Sequence, residues 1–216
     1  ITLFHEFGHG LHHLLSLVEE PSVTGISGVP WDAVELPSQF LENWCWERGA
    51  LDLVTSHVDT GEPLPDKLLQ KLRGARNFQS GMQMVRQLEF GLFDFRLHAS
   101  IAQISADAIQ RLLDDVRQQV AVVIPPPFDR FPHAFTHIFA GGYAAGYYGY
   151  LWSEVLSADA YNRFEQEGVF NGTVGRAFLQ HVLETGGVEE PLDVFRAFRG
   201  REPSIDAFLR HWGLNS

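Results

Sequence analysis

ITLFHEFGHGLHHLLSLV, residues 1–18, is the stretch whose periodicity decides the fold class. Leu3, Phe7, Leu11, Leu14, Leu15 and Val18 recur at helical spacing, which predicts an amphipathic helix. The prediction holds despite Gly8 and Gly10, each of which costs a helix interior roughly 1 kcal/mol relative to alanine. The pattern is already under way at Ile1 with no capping residue ahead of it, so a piece of a longer chain is expected.

Outward from this helix, EPSVTGISGVP (20–30) carries two prolines and two glycines and predicts an irregular loop. Residues 31–57 return to helical spacing, with Asp32 as N-terminal cap and Leu41, Trp44, Cys45 and Leu51 on one side. GEPLPD (61–66) predicts a turn. Two long helices are expected from Leu68 to about Phe90 and from Phe93 to about Val123, joined near Gly91. The four prolines of IPPPFDRFP (124–132) end that pair, because proline cannot continue a helix. LWSEVLSADAYNRF (151–164) reads as helix, followed by shorter helical stretches near 173–185, 191–199 and 203–212. No strand-rich block or repeat occurs, so the class is mainly α.

Bulk properties narrow the partners. The 216 residues are 45% hydrophobic, enough to bury a core. Twenty-seven acidic residues outnumber 16 scattered basic ones, giving a net charge of −11. That balance excludes nucleic acid, whose phosphates demand clustered Lys and Arg. Cys45 is the single cysteine, which excludes an intrachain disulfide and a multi-cysteine zinc knuckle. No apolar run approaches the ~20 residues that span a bilayer. No signal sequence is read at the N-terminus, and a cytoplasmic location is expected.

His5-Glu6-Phe7-Gly8-His9 matches H-E-x-x-H. Helical residues four apart differ by about 40° around the axis and ~6 Å along it, so both imidazoles can reach one tetrahedral zinc. Glu6 then stands beside the metal, where it can take a proton from attacking water and return it to a leaving amine. A third protein ligand is required. A histidine continuing the motif is absent, because Leu15 occupies its position. Glu35, in VELPSQFLENW, is the leading carboxylate, with Glu19, Glu20 and Asp32 as competitors. Glu35, Gln39 and Glu42 share a helix face at i, i+4 and i+7, so Glu42 can orient a ligand imidazole through its free N–H. His12 lies ~10 Å from His5 along the axis and is read, with His13, as structural or solvent-facing.

Tyr143, Tyr147 and Tyr150 would form one stripe if their segment were helical. On the residues alone such a stripe is ordinary packing. Three stretches then carry a resemblance: HEFGHGLHHLLS (5–16), WDAVELPSQFLENWCWE (31–47) and HIFAGGYAAGYYGYLWSEVLSADAY (137–161). In this order they resemble the thimet oligopeptidase family of zinc metallopeptidases.

The resemblance implies a helical, zincin-like catalytic domain, with residues 1–216 forming the C-terminal catalytic region of a larger oligopeptidase. It implies one Zn2+ per chain, held by His5, His9 and Glu35, with Glu6 as the catalytic glutamate. Tyr147 and Tyr150 look like the family's transition-state tyrosines, and Gly141, Gly142 and Tyr143 resemble its substrate-closing loop, with His137 beside it. The implied partners are short peptides and an N-terminal portion supplying the opposite wall of the channel. The implied activity is cleavage of internal peptide bonds. Two other readings stay open: a carboxydipeptidase on the same zinc core, and a zinc-binding helical fragment inactive without the rest.

Overall fold

The computed structural model describes residues 1–100 and 105–214. Among these residues the regular elements are all helical, as expected. The chain divides into two compact units, one formed by residues 1–78 together with the chain from Trp152 onward, the other by residues 79–151.

The first unit opens with α1 (Thr2–Leu15), which stops one turn earlier than its apolar pattern, at an extended Ser16. Residues 16–35 are loop and turns. The single helix expected over 31–57 is instead three pieces: α2 (Leu36–Glu42), a 3₁₀ turn (Asn43–Trp46) and α3 (Arg48–Val54). Pro37 explains the late start, because proline fits only the first turn of a helix. Asp32 therefore lies ahead of the helix and does not cap it. Asn43 explains the loosening after α2, since its side-chain amide donates to the carbonyls of Gln39 and Phe40. Extended Glu47 then separates the 3₁₀ turn from α3.

α4 (Asp66–Arg76) ends at Asn77, and α5 (Ser80–Ser100) opens the second unit. The expected break near Gly91 does not occur. α5 runs straight through it, held by Phe93 and Leu97, which are buried on the same helix. Tertiary burial thus outweighs the cost of one glycine. The break falls at Asn77–Gln79, where Gln79 takes a left-handed φ of 55°. The second expected helix is divided as well. α5 ends at Ser100, and α6 (Ala106–Val120) starts afresh with the Ser105 hydroxyl accepting from Ala108 N at 3.2 Å. The part of that expectation over 101–104 lies outside the described residues.

After Pro127 come two single-turn helices, α7 (Phe131–Ala134), which takes Pro132 in its first turn, and α8 (Thr136–Phe139). α9 (Gly149–Glu167) follows, then α10 (Gly172–Phe178), which widens into a π turn over Leu179–Leu183. α11 (Pro191–Arg199) and α12 (Asp206–His211) complete the first unit.

The core of the first unit lies beneath α2. Leu36 and Phe40 pack with Leu156, Phe164, Phe178, Phe195 and Phe198, and the Phe40 ring stacks on Phe178 at 4.0 Å. This anchors the helix that Glu35 immediately precedes. Buried Asp159 on α9 holds the turn after α11, accepting from the side chains of Arg199 and Arg201 and from Ser204 N. In the second unit Phe93, Leu97, Leu113, Phe135 and Ile138 form a separate core, flanked by Phe90, Phe131 and Tyr147.

Candidate metal centre

α1 crosses the start of α2 at backbone contact, and Gly8 is the reason it can. A Cβ on Gly8 would lie 2.5 Å from Ser38 Cα and 2.7 Å from Pro37 O. The same turn of α1 that lacks a side chain at Gly8 presents His5 and His9. Glu35, immediately before α2, is 3% exposed and meets both. Its Oε2 lies 3.3 Å from His5 Nε2 and 3.2 Å from His9 Nε2.

Those spacings test whether a metal fits. Tetrahedral zinc with ligand bonds of ~2.0–2.1 Å separates its ligand atoms by about 3.3 Å, the edge of the tetrahedron. The three donor atoms lie within 4.8 Å of one another, and the two imidazole-to-carboxylate edges, 3.3 and 3.2 Å, agree with the tetrahedral edge. The donor set, two imidazole nitrogens and one carboxylate, also suits zinc. His5, His9 and Glu35 therefore fit the ion.

Supporting contacts orient two of the three. His5 Nδ1 lies 2.7 Å from Glu42 Oε1, the contact expected of a carboxylate behind a ligand imidazole. The Ser38 hydroxyl lies 3.0 Å from both Glu35 Oε2 and the Glu35 carbonyl, pinning the carboxylate to its own helix turn. Hydrogen bonds to Glu35 and then Glu42 raise the His5 imidazole to about 10 against the opposing effect of burial, so positive charge is favoured where the donors converge. His9 differs: its Nδ1 is buried without a hydrogen-bond partner among the described residues. Glu6 is exposed and its carboxylate makes no hydrogen bond or ion pair among them, leaving it open to incoming groups.

Among the described residues none of the competing carboxylates joins this group, and Glu19 and Glu20 are exposed. His12 is buried rather than solvent-facing, and burial followed by the charges of His9 and His13 lowers it to about 4, so it is a neutral packing residue. Exposed His13 takes Ile26 N at 3.4 Å and supports the loop after α1.

The second unit gathers the remaining expected residues into one aromatic cluster. The His137 ring centroid lies 6.0 Å from that of Tyr147 and 6.2 Å from that of Tyr150, and Tyr143 stacks on Tyr150 at 4.8 Å. The helical stripe is not the reason. Residues 143–148 form turns ahead of α9, with Ala145 at a left-handed φ of 56°, and only Tyr150 is helical. Glycine is required on geometric grounds at Gly141, where a Cβ would lie 2.9 Å from His137 Cα, and at Gly142, whose φ is 87°. The Tyr147 phenol donates to Gln87 Oε1 at 3.1 Å, and burial pushes it up to about 12.

Comparison with known proteins decides the family. The model of peptidase family M3 matches residues 1–214. The chain belongs to that family. It is 61% identical over 214 residues to oligopeptidase A of Salmonella typhimurium and 60% identical over 214 residues to that of Escherichia coli. Each match covers 99% of this chain and 32% of the relative. A dipeptidyl carboxypeptidase of Salmonella typhimurium is 36% identical over 217 residues, again with 32% of the relative covered. The M3 chain thus spans about a third of the length of the curated relatives it matches. Membership bears out the resemblance drawn from the three motif stretches.

Several residues that shape these clusters of the M3 chain escaped the sequence reading. Ser38 had a signal, standing one helical turn after Glu35. Gly8 had only its place inside the motif, where glycine reads as a weakness. Gln87 and Asp94 had none, because nothing in α5 shows which turn it will support.

Proposed function

We propose that this chain carries the zinc-binding catalytic core of an oligopeptidase that hydrolyses internal bonds of short peptides. The convergence of His5, His9 and Glu35 at the ligand spacing of tetrahedral zinc carries this reading. Membership of peptidase family M3 and about 60% identity to two oligopeptidases A support it.

His5, His9 and Glu35 would hold the ion, and Glu42 keeps the His5 ring turned so that Nε2 faces the other ligands. When bound, zinc supplies Lewis acidity toward water and the scissile carbonyl. Glu6 accepts the proton of the attacking water and passes it to the departing amine. Tyr150, and Tyr147 once its O–H turns away from Gln87 Oε1, donate hydrogen bonds to the oxyanion of the tetrahedral intermediate. Gly141, Gly142, Tyr143 and His137 contact the substrate peptide, the glycines admitting its backbone. The additional length found in the relatives supplies the opposite wall of the substrate channel, and cleavage is assigned to the enzyme of that length. Among the described residues no helix is long and apolar enough to cross a membrane.

Replacing Glu6 with Gln in the full-length enzyme tests the central step. Metal analysis should find zinc retained, while turnover of internally quenched short peptides falls by roughly 10²–10⁴-fold. Full turnover in that variant would refute Glu6 as the base, and absence of zinc from metal-supplied protein would refute the site. The 36% identity to a dipeptidyl carboxypeptidase supports a second reading, release of dipeptides from a free C-terminus. Peptides blocked as C-terminal amides separate the two, since only the internal cleavage survives blocking.

A further inference from the structure

Asp94 has no part in the mechanism above, yet both oxygens of its carboxylate are taken by donors. It sits on α5 with no exposed surface. Its Oδ1 accepts Ala145 N at 2.9 Å and its Oδ2 accepts Tyr147 N at 2.9 Å. His98 Nδ1, one helical turn further along α5, lies 2.8 Å from Oδ1. An ionised carboxylate only accepts, so it matches a set of N–H donors that a neutral side chain cannot.

The two backbone groups it holds belong to the glycine-rich turn. Ala145 is a non-glycine residue in left-handed backbone, a conformation that needs outside support. The same face of α5 also holds the side chain of Tyr147. Gln87, Phe90 and Asp94 stand at i, i+3 and i+7: Gln87 takes the phenol, Phe90 meets the ring edge-on at 5.6 Å, and Asp94 takes the backbone. Tyr150 is tied to the arrangement, because its N–H donates to Tyr147 O at 3.2 Å and its ring lies 5.2 Å from that of Tyr147.

We propose that Asp94 is a positioning residue for Tyr147 and Tyr150, its buried carboxylate fixing the turn that sets where the two phenols stand. This rests on the reading of those tyrosines as oxyanion donors. Asp94 touches neither substrate nor metal and acts through the turn alone.

Asp94→Asn in the zinc-loaded, full-length enzyme tests it. The carboxamide keeps one acceptor and turns a donor toward the other N–H. Hydrogen exchange at the amides of Ala145 and Tyr147 should accelerate roughly 10- to 100-fold, with zinc content unchanged. The kcat for quenched peptides should fall roughly 10²-fold, with KM nearly constant, as when an oxyanion donor is misplaced. In a Tyr147→Phe, Tyr150→Phe background the same substitution should cost nothing further. Unchanged amide exchange would overturn the hold on the turn. Accelerated exchange with unaltered kcat, in a protein that the double Tyr→Phe change does impair, would overturn the positioning role while leaving the tyrosine reading intact. Full kcat in the double Tyr→Phe variant would remove the oxyanion reading itself and the catalytic purpose of Asp94 with it. If Asp94→Asn does not fold, His98→Ala decides: it removes one hydrogen bond from an exposed partner. Both exchange and kcat should then shift a few-fold in the same directions, and no shift in either refutes the proposal.

Discussion

Replacing Gly8 with alanine adds one methyl group to α1 and should weaken the metal site without unfolding the protein. The new Cβ would stand 2.5 Å from Ser38 Cα, about 0.9 Å short of the 3.4 Å at which ordinary contact begins. The atoms it meets are backbone, so no side chain can swing aside, and α1 and α2 must separate by that amount. Overpacking of this kind costs about 1–3 kcal/mol. Alanine returns about 1 kcal/mol through its helix propensity, leaving a net stability loss of about 0–2 kcal/mol. The ligand geometry is far less forgiving, since zinc bonds tolerate only about ±0.2 Å. A 0.9 Å retreat of Glu35 from His5 and His9 should weaken zinc binding about a hundredfold, ~2.7 kcal/mol. Competition against a chelator of known affinity measures this, with thermal unfolding recorded in parallel. Gly10→Ala is the control, because a Cβ at Gly10 meets nothing within 4 Å. It should bind zinc as the parent does and gain up to about 1 kcal/mol in stability. Equal zinc affinity in Gly8→Ala and Gly10→Ala would refute the argument that close helix approach seats Glu35.

Two further outcomes are expected. Glu42→Ala removes the acceptor behind His5 Nδ1 and should lower zinc affinity about 10- to 100-fold in the same competition assay, whereas Glu42→Gln, which keeps an acceptor oxygen, should lose less. The third concerns acid stability. Burial pushes Glu165 up, but hydrogen bonds from His211 and Asn162 and the charges of His211 and Arg210 hold it down at about 2. A depressed carboxylate stabilises the fold above its unfolded value of 4.5 and loses that contribution as pH falls from there toward 2. The pair is partly exposed, so solvent screening limits the effect to on the order of 1 kcal/mol. Urea midpoints at pH 7 and pH 3 should therefore converge in Glu165→Gln relative to the parent, and an unchanged pH difference would count against the ion pair.

The motif helix was legible because its chemistry and its periodicity coincide. Two histidines four residues apart share a helix face whatever the rest of the chain does, and α1 forms where the apolar pattern starts. Helix boundaries were less legible. The spacing of Leu41, Trp44, Cys45 and Leu51 suggests one helix, yet Pro37 delays its start and the Asn43 amide competes for its carbonyls. Gly91 was expected to break α5, and the burial of Phe93 and Leu97 carries the helix across it. In each case a long-range contact or a single side-chain hydrogen bond outweighed local propensity.

By itself the sequence determined the helical class, the pair of imidazoles, the glutamate between them and the short list of candidate carboxylates. The choice of Glu35 over its neighbours on bonding grounds belongs to tertiary structure, because it depends on two helices meeting at backbone distance across Gly8. The same holds for Asp94. No local pattern marks a carboxylate that will be buried against the N–H groups of a turn some 50 residues away, at Ala145 and Tyr147. Periodicity fixes which side chains share a face. Only packing decides which faces meet, and the chemistry of this chain arises where they do.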